Sequence, residues 1–263
     1  MKLVYKNPGI DYMVDSIMKF QKEEESAYWM EPLYYFYPQI KKEYAMSLSS
    51  EERYQYIKAE LETVYKENEE IIKEKITAYN KRWKCYENQI TEAFSDAFLV
   101  DCSNILNDMV AYISLNPISP RFLETNSFEV FYLNSEVGAL GASLHEIVHL
   151  VWFYVWNQVF GDSYEEYERP NIKWILSEMV VEAIMSDTRL SSINPYFDRE
   201  KGGCVYPYFF TMNINGECIL DTLKNMYQKM PMIDFMKEAL NYCTTYENEI
   251  RIHMEESEKV WGK

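Results

Sequence analysis

The 263-residue sequence predicts an α+β fold that is predominantly helical. Three observations predict it. A stripe of apolar and aromatic residues at spacings of mostly three and four runs through residues 51–99, the period of an amphipathic helix. Only two segments, 109–115 and 127–133, carry the β-branched and aromatic patterning of strands. Just beyond the second, residues 137–160 are apolar nearly all round and read as a buried helix. With 48% hydrophobic and 16% aromatic residues the chain is not disordered, and its length allows a large core.

The elements follow in order. Residues 10–28 read as a helix ending in the charged stretch Lys22-Glu23-Glu24-Glu25, a solvated face. Residues 29–40, aromatic and Pro-bearing, read as a packed loop or short helix. Ser49-Ser50-Glu51-Glu52 has the pattern of a capping box, so the long helix starts there. Its stripe is rich in aromatics (Tyr79, Trp83, Tyr86, Phe94), which favours a helix lying on a core over a coiled-coil arm. Asn116-Pro117 and Ser119-Pro120 mark turns between the two strands. The buried helix stops near Gly161-Asp162, an acidic loop runs to Pro170, and the next helix covers 172–190. A turn-rich part (194–216) leads to helices near 217–229 and 231–259, with Pro231 suited to a first turn. The chain divides into an N-terminal helical region at 1–100, a central core at 101–190 and a helical C-terminal lobe at 191–263.

The buried helix carries His145-Glu146-Ile147-Val148-His149, an H-E-x-x-H pentapeptide. Residues four apart lie on one helix face, so His145 and His149 can hold one ion together. Glu146 projects beside them and can take a proton from a metal-activated water. The chain has only 3 His, and two of them form this motif. Two imidazoles and a carboxylate in an apolar helix would be left unsatisfied unless something pairs them, and a bound Zn2+ removes that cost. Two core histidines bonded to carbonyls or carboxylates are the bland reading of the same residues.

A formal net charge of −16 leaves little basic surface for phosphates, so nucleic acid is excluded as a partner, and so is an anionic membrane surface. No apolar stretch is long enough to span a bilayer, and the N-terminus lacks a signal peptide's apolar region. Five scattered Cys fit a reducing compartment, so a cytoplasmic protein is expected.

Catalytic zinc takes three protein ligands and leaves a position for water. A metzincin would continue H-x-x-G-x-x-H, but Trp152 and Val155 stand at the Gly and final His positions. His253, in a polar C-terminal segment, reads as a surface or supporting residue. The apolar helix Trp174-Ile175-Leu176-Ser177-Glu178-Met179-Val180-Val181-Glu182-Ala183 carries two carboxylates four apart. One can ligate the metal while the other accepts the outer N–H of a ligand His. A solvated acidic stripe is the alternative.

H-E-x-x-H followed by a helical Glu resembles the gluzincins, zinc metallopeptidases, over roughly residues 109–190. The resemblance implies a zincin-like catalytic domain, with a small sheet beside the motif helix and that helix as the floor of a cleft. It implies Glu178 as the third zinc ligand, Glu182 as the support of a ligand His or the alternative ligand, and Glu146 as general base. The implied substrate is a peptide or protein. The family's oxyanion donor is often a Tyr or His from the C-terminal part, here His253, Tyr206 or Tyr208. Glu168 lies nineteen residues after His149, a separation seen in one aminopeptidase branch, but no G-x-M-E-N segment accompanies it. It sits just before a Pro and reads, with Glu165 and Glu166, as a solvated acidic loop. Two other classes compete. A catalytically inactive zincin-like binding protein would not require Glu146. A di-iron bundle needs a second Glu-x-x-His, and Ile250 stands three before His253.

Overall fold

A computed structural model describes residues 1–23, 25–195 and 199–261. Glu24 of the charged stretch and residues 196–198 of the turn-rich part lie outside the described residues. The chain begins with strand β1 (Leu3–Lys6), helices α1 (Ile10–Met18), α2 (Ala27–Phe36) and α3 (Lys42–Ser47), and the long helix α4 (Ser50–Phe98). Strands β2 (Met109–Ser114), β3 (Arg121–Phe122) and β4 (Ser127–Phe131) precede helix α5 (Glu136–Phe160). Helices α6 (Ile172–Met185) and α7 (Thr188–Ser191), a hairpin of β5 (Asn213–Ile214) and β6 (Glu217–Cys218), and helices α8 (Ile219–Lys229), α9 (Met232–Thr245) and α10 (Glu247–Trp261) complete it.

Helix α4 runs unbroken for 49 residues, about 70 Å at 1.5 Å per residue. Its start is a complete capping box: the Glu52 N–H donates to Ser49 Oγ, and the Ser49 N–H donates to Glu52 Oε2 at 3.1 Å. Ile57, Leu61, Ile72, Trp83, Ile90 and Phe94 are buried, so the stripe packs along α1, β1 and α5 as a core helix. Helix 10–28 is shorter than its pattern suggests. After Met18 the backbone turns, and the buried Arg53 of α4 takes the Gln21 carbonyl at 2.8 Å, along with the carbonyls of Ala45 and Leu48. The expected 172–190 helix breaks at Ser186, where Asp187 caps α7 by accepting the Arg189 N–H at 3.0 Å. The 231–259 helix breaks at Tyr246 into α9 and α10, and Pro231 stands at the N-cap of α9 rather than inside it.

The four-stranded sheet has the order β1-β2-β4-β3. Strands β1, β2 and β4 are parallel, with Tyr5 opposite Ala111 and Ala111 opposite Phe128. Strand β3 is an antiparallel edge. Strand β1 joins the sheet across the whole α1–α4 excursion, which the local pattern around it does not reveal.

Three contacts fix the position of α5. Tyr5 of β1 and Ser143 of α5 share a hydrogen bond of 2.7 Å. Tyr79 and Lys75 of α4 both donate to the Asn134 carbonyl at 2.6 Å, just before the helix starts. At the other end Trp156 Nε1 donates to Asp162, which also pairs with Lys173 of α6 at 2.6 Å. Helix α6 packs against α5, α8 and α9, and α10 packs on α2. One hydrophobic cluster extends from Met1 to Ile250. Among the described residues no helix is long and apolar enough to cross a membrane.

Candidate metal centre

Helix α5 starts at a Ser135 cap and ends at Gly161, whose φ of 69° reverses the chain. Its third and fourth turns carry His145, Glu146 and His149. Helix α6 starts at an Asn171 cap and lays Glu178 against them. His145 Nε2 and His149 Nε2 are 3.1 Å apart. Glu178 Oε2 is 3.4 Å from His149 Nε2 and 3.8 Å from His145 Nε2. All three donor atoms lie within 4.8 Å of one another and could hold a metal ion.

These separations fit a cation. Tetrahedral bonds of about 2.0–2.1 Å put neighbouring ligand atoms about 3.3 Å apart. A single proton can bridge only one of the three contacts, whereas an ion answers all of them. His149 is fully buried, and burial together with the charge on Arg121 pushes its pKa down to about 3. It is therefore neutral, the form in which imidazole ligates. Burial also pulls His145 down, but Glu178 and Glu146 outweigh it and the net shift is upward. Burial raises the Glu146 carboxyl to about 7, against the opposing pull of His145 and Arg121. A carboxyl tuned to that range suits proton transfer at neutral pH.

Glu178 divides its two oxygens. Oε2 faces the imidazoles, and Oε1 accepts from Arg121 Nη1 at 2.7 Å. Burial alone would raise its pKa, but His149 and Arg121 hold it well below the usual carboxylate range. Arg121, on edge strand β3, is missing from the sequence reading because no motif surrounds it. A signal exists nonetheless: a Glu buried in an apolar helix needs a cation, and Arg121 is the sole Arg or Lys between the two predicted strands.

The other expected residues lie elsewhere. The Glu182 carboxylate touches no imidazole. One turn beyond Glu178 it is held by Arg199 at 2.6–3.1 Å, and Arg199 also pairs with Asp221 of α8 at 2.7 Å. The expected support of a ligand His by Glu182 is thus corrected, and His149 Nδ1 is buried without a hydrogen-bond partner. His253, expected as a possible transition-state donor, sits on α10 with Nε2 at 2.9 Å from the Tyr208 carbonyl and 3.3 Å from Thr211 Oγ1, so its ring is engaged by the 207–211 segment. The Tyr208 hydroxyl is buried without a partner. Glu168 is exposed in the loop before Pro170, as expected, and it also borders the candidate centre. Glu166 pairs with Lys173, whereas Glu168 joins the wall of a cleft with Arg121, Glu146 and Glu178.

Two cavities share His145 and Glu146 in their walls. One, of about 410 Å³, reaches Ala142, Met185 and Val205. The other, of about 380 Å³, contains Arg121, Glu168 and Glu178. Tyr206 lines both, packed on Trp29 with ring centroids 5.4 Å apart. Burial and the nearby Glu178 charge push its phenol far upward, so it remains a proton donor.

No family model, curated protein or solved structure matches this chain. Two imidazoles and one carboxylate converge on a point, a second carboxylate of near-neutral pKa stands beside them, and a phenol faces the same cleft. That set can bind a cation, accept a proton from a water molecule and donate a hydrogen bond to a developing oxyanion.

Proposed function

We propose that the chain is a zinc-dependent metallopeptidase of the gluzincin type. The observation that carries the proposal is the convergence of His145, His149 and Glu178 within 4.8 Å, with Glu146 on the next residue of the same helix. His145, His149 and Glu178 would hold the ion. When bound, zinc supplies a Lewis acid that lowers the pKa of water and polarises a carbonyl. Glu146 accepts the proton of the attacking water and hands it to the leaving amine. Tyr206 donates its hydroxyl hydrogen to the oxygen that gains charge. Arg121 holds Glu178 in one orientation through Oε1. The substrate is a peptide or protein, because two cavities that share His145 and Glu146 in their walls leave room for chain next to the cleaved bond.

The test is Glu146→Gln. The variant should keep its zinc and lose peptide hydrolysis. Hydrolysis at the native rate would remove Glu146 as the base. Zinc lost together with activity would make it a ligand instead.

A further inference from the structure

The cavity of about 380 Å³ is walled in part by two segments that lie far apart in the chain. Phe20, Glu25 and Trp29 come from α2 and the stretch before it, and Glu168, Arg169 and Pro170 from the loop before α6. One ion pair joins the two segments. Arg169 Nη2 donates to Glu25 at 2.7 Å, across 144 residues of sequence. The same guanidinium lies over the Trp29 ring, 5.0 Å from its centroid. Exposure places this pair at the solvent end of the cavity. The Arg169 and Glu25 side chains are 36% and 16% exposed, against 9% and 3% for Arg121 and Glu178 of the candidate centre.

The backbone around Arg169 is pinned. Lys173 holds Asp162 and Glu166 at 2.6 and 2.7 Å, and Tyr167 stacks on Phe153 with ring centroids 4.3 Å apart. Arg251 of α10 donates to the Pro170 carbonyl at 2.8 Å. The Arg169 side chain is therefore the part that can move. Its two contacts, a part-exposed ion pair and a cation on an indole face, are both weak, and salt screens the first. Trp29 beneath it is buried, and its Nε1 has no hydrogen-bond partner among the described residues. An orphan N–H favours any arrangement that lets water reach it.

We propose that the Arg169 side chain is a gate on this cavity. Paired with Glu25 and resting on Trp29, it closes this way to the candidate centre. Swung out into solvent, it opens it. Glu25 is the catch, and the fixed backbone of the loop returns the guanidinium to the same place. The pair weakens as ions accumulate, so the open fraction rises with ionic strength. The gate is a contact of the fold alone and depends on neither zinc nor turnover.

Hydrogen exchange at the Trp29 indole nitrogen tests this, because that N–H has no hydrogen bond to break and exchanges as fast as water reaches it. NMR follows the exchange in the native protein, in Glu25→Gln, in Arg169→Gln and in the charge-swapped Glu25→Arg/Arg169→Glu, with Trp29→Phe to assign the signal. At low salt each single variant should exchange about twofold to fivefold faster than the native protein, the factor that corresponds to one part-exposed ion pair. The charge-swapped protein should return toward the native rate. Salt at about 1 M should bring the native protein to the rate of the single variants and leave those variants unchanged. Equal rates in all four proteins, or a charge-swapped protein as fast as the single variants, overturns the gate. The salt series on the native protein needs no substitution, and a rate that does not rise with salt overturns the gate as well.

Discussion

Arg121 and Glu178 meet at 2.7 Å in the interior, one guanidinium nitrogen on one carboxylate oxygen, and the other oxygen is left for the histidines. The two side chains are 9% and 3% exposed, so neither charge is answered by water. Arg121 also stands near Glu146 and Glu168. Burial would lower its pKa, but the three carboxylates outweigh it and the guanidinium stays charged.

Removing that cation should strand Glu178. Arg121→Met is expected to destabilise the metal-free protein by about 3–5 kcal/mol, the cost of leaving one member of a buried pair alone. The loss should be larger at pH 7 than at pH 3. Arg121 helps hold the Glu178 carboxyl below its usual range, so the stability it contributes is present above the unfolded pKa and is lost as pH falls. Urea unfolding at the two pH values measures this. An equal, small loss at both would mean that Arg121 is not the partner that keeps Glu178 charged.

Glu129 on β4 gives the converse case. It is fully buried, neither oxygen has a hydrogen-bond partner, and burial pushes its carboxyl up to about 7 despite Ser114, Ser16 and Lys19 nearby. Its folded pKa is raised, so its contribution is full below about 4.5 and is lost as pH rises through about 7. The difference corresponds to about 3 kcal/mol. Glu129→Gln should therefore leave stability near pH 4 unchanged and raise it at pH 8 by up to that amount. Thermal unfolding of both proteins across this range decides it, and a constant offset at all pH values would refute the role of Glu129.

Glu182 separates structure from metal binding. Its carboxylate serves Arg199 and, through it, Asp221 on α8. Arg199 is part-exposed, so Glu182→Ala should cost about 1–3 kcal/mol of stability. Zinc affinity, measured by competition with a chelator, should stay within about twofold, whereas a residue supporting a ligand His costs 10–100-fold when removed. A loss of that second size would return Glu182 to the centre.

Tyr206 tests the proposed oxyanion donor. Tyr206→Phe keeps the ring on Trp29 and Tyr208 and removes only the hydroxyl. The turnover number for peptide cleavage should fall about 100-fold, with KM and zinc content little changed. Full activity in the variant would assign the donor elsewhere.

The parts of this molecule that were legible in its sequence are those governed by local periodicity. The α4 stripe and its capping box at Ser49 and Glu52, the two central strands, and the extent of α5 up to Gly161 all follow from spacing and turn chemistry. What escaped depends on contacts between distant segments. The two residues of β3 carry too little pattern to read, and Arg121 matters only because the sheet brings it to α6. Glu178 and Glu182 look alike in sequence, one turn apart on an apolar helix. They differ because α5 covers the first while Arg199 and Asp221 cover the second. His253 looked available because nothing local pairs it, yet the 207–211 segment supplies a carbonyl from forty-five residues away.

If His145, His149 and Glu178 hold one zinc ion together, elemental analysis of untagged protein, dialysed against metal-free buffer, should find about one zinc per chain in the native protein and none in His149→Ala, with both proteins folded. A folded native protein that carries no zinc and refuses added zinc would rule the site out.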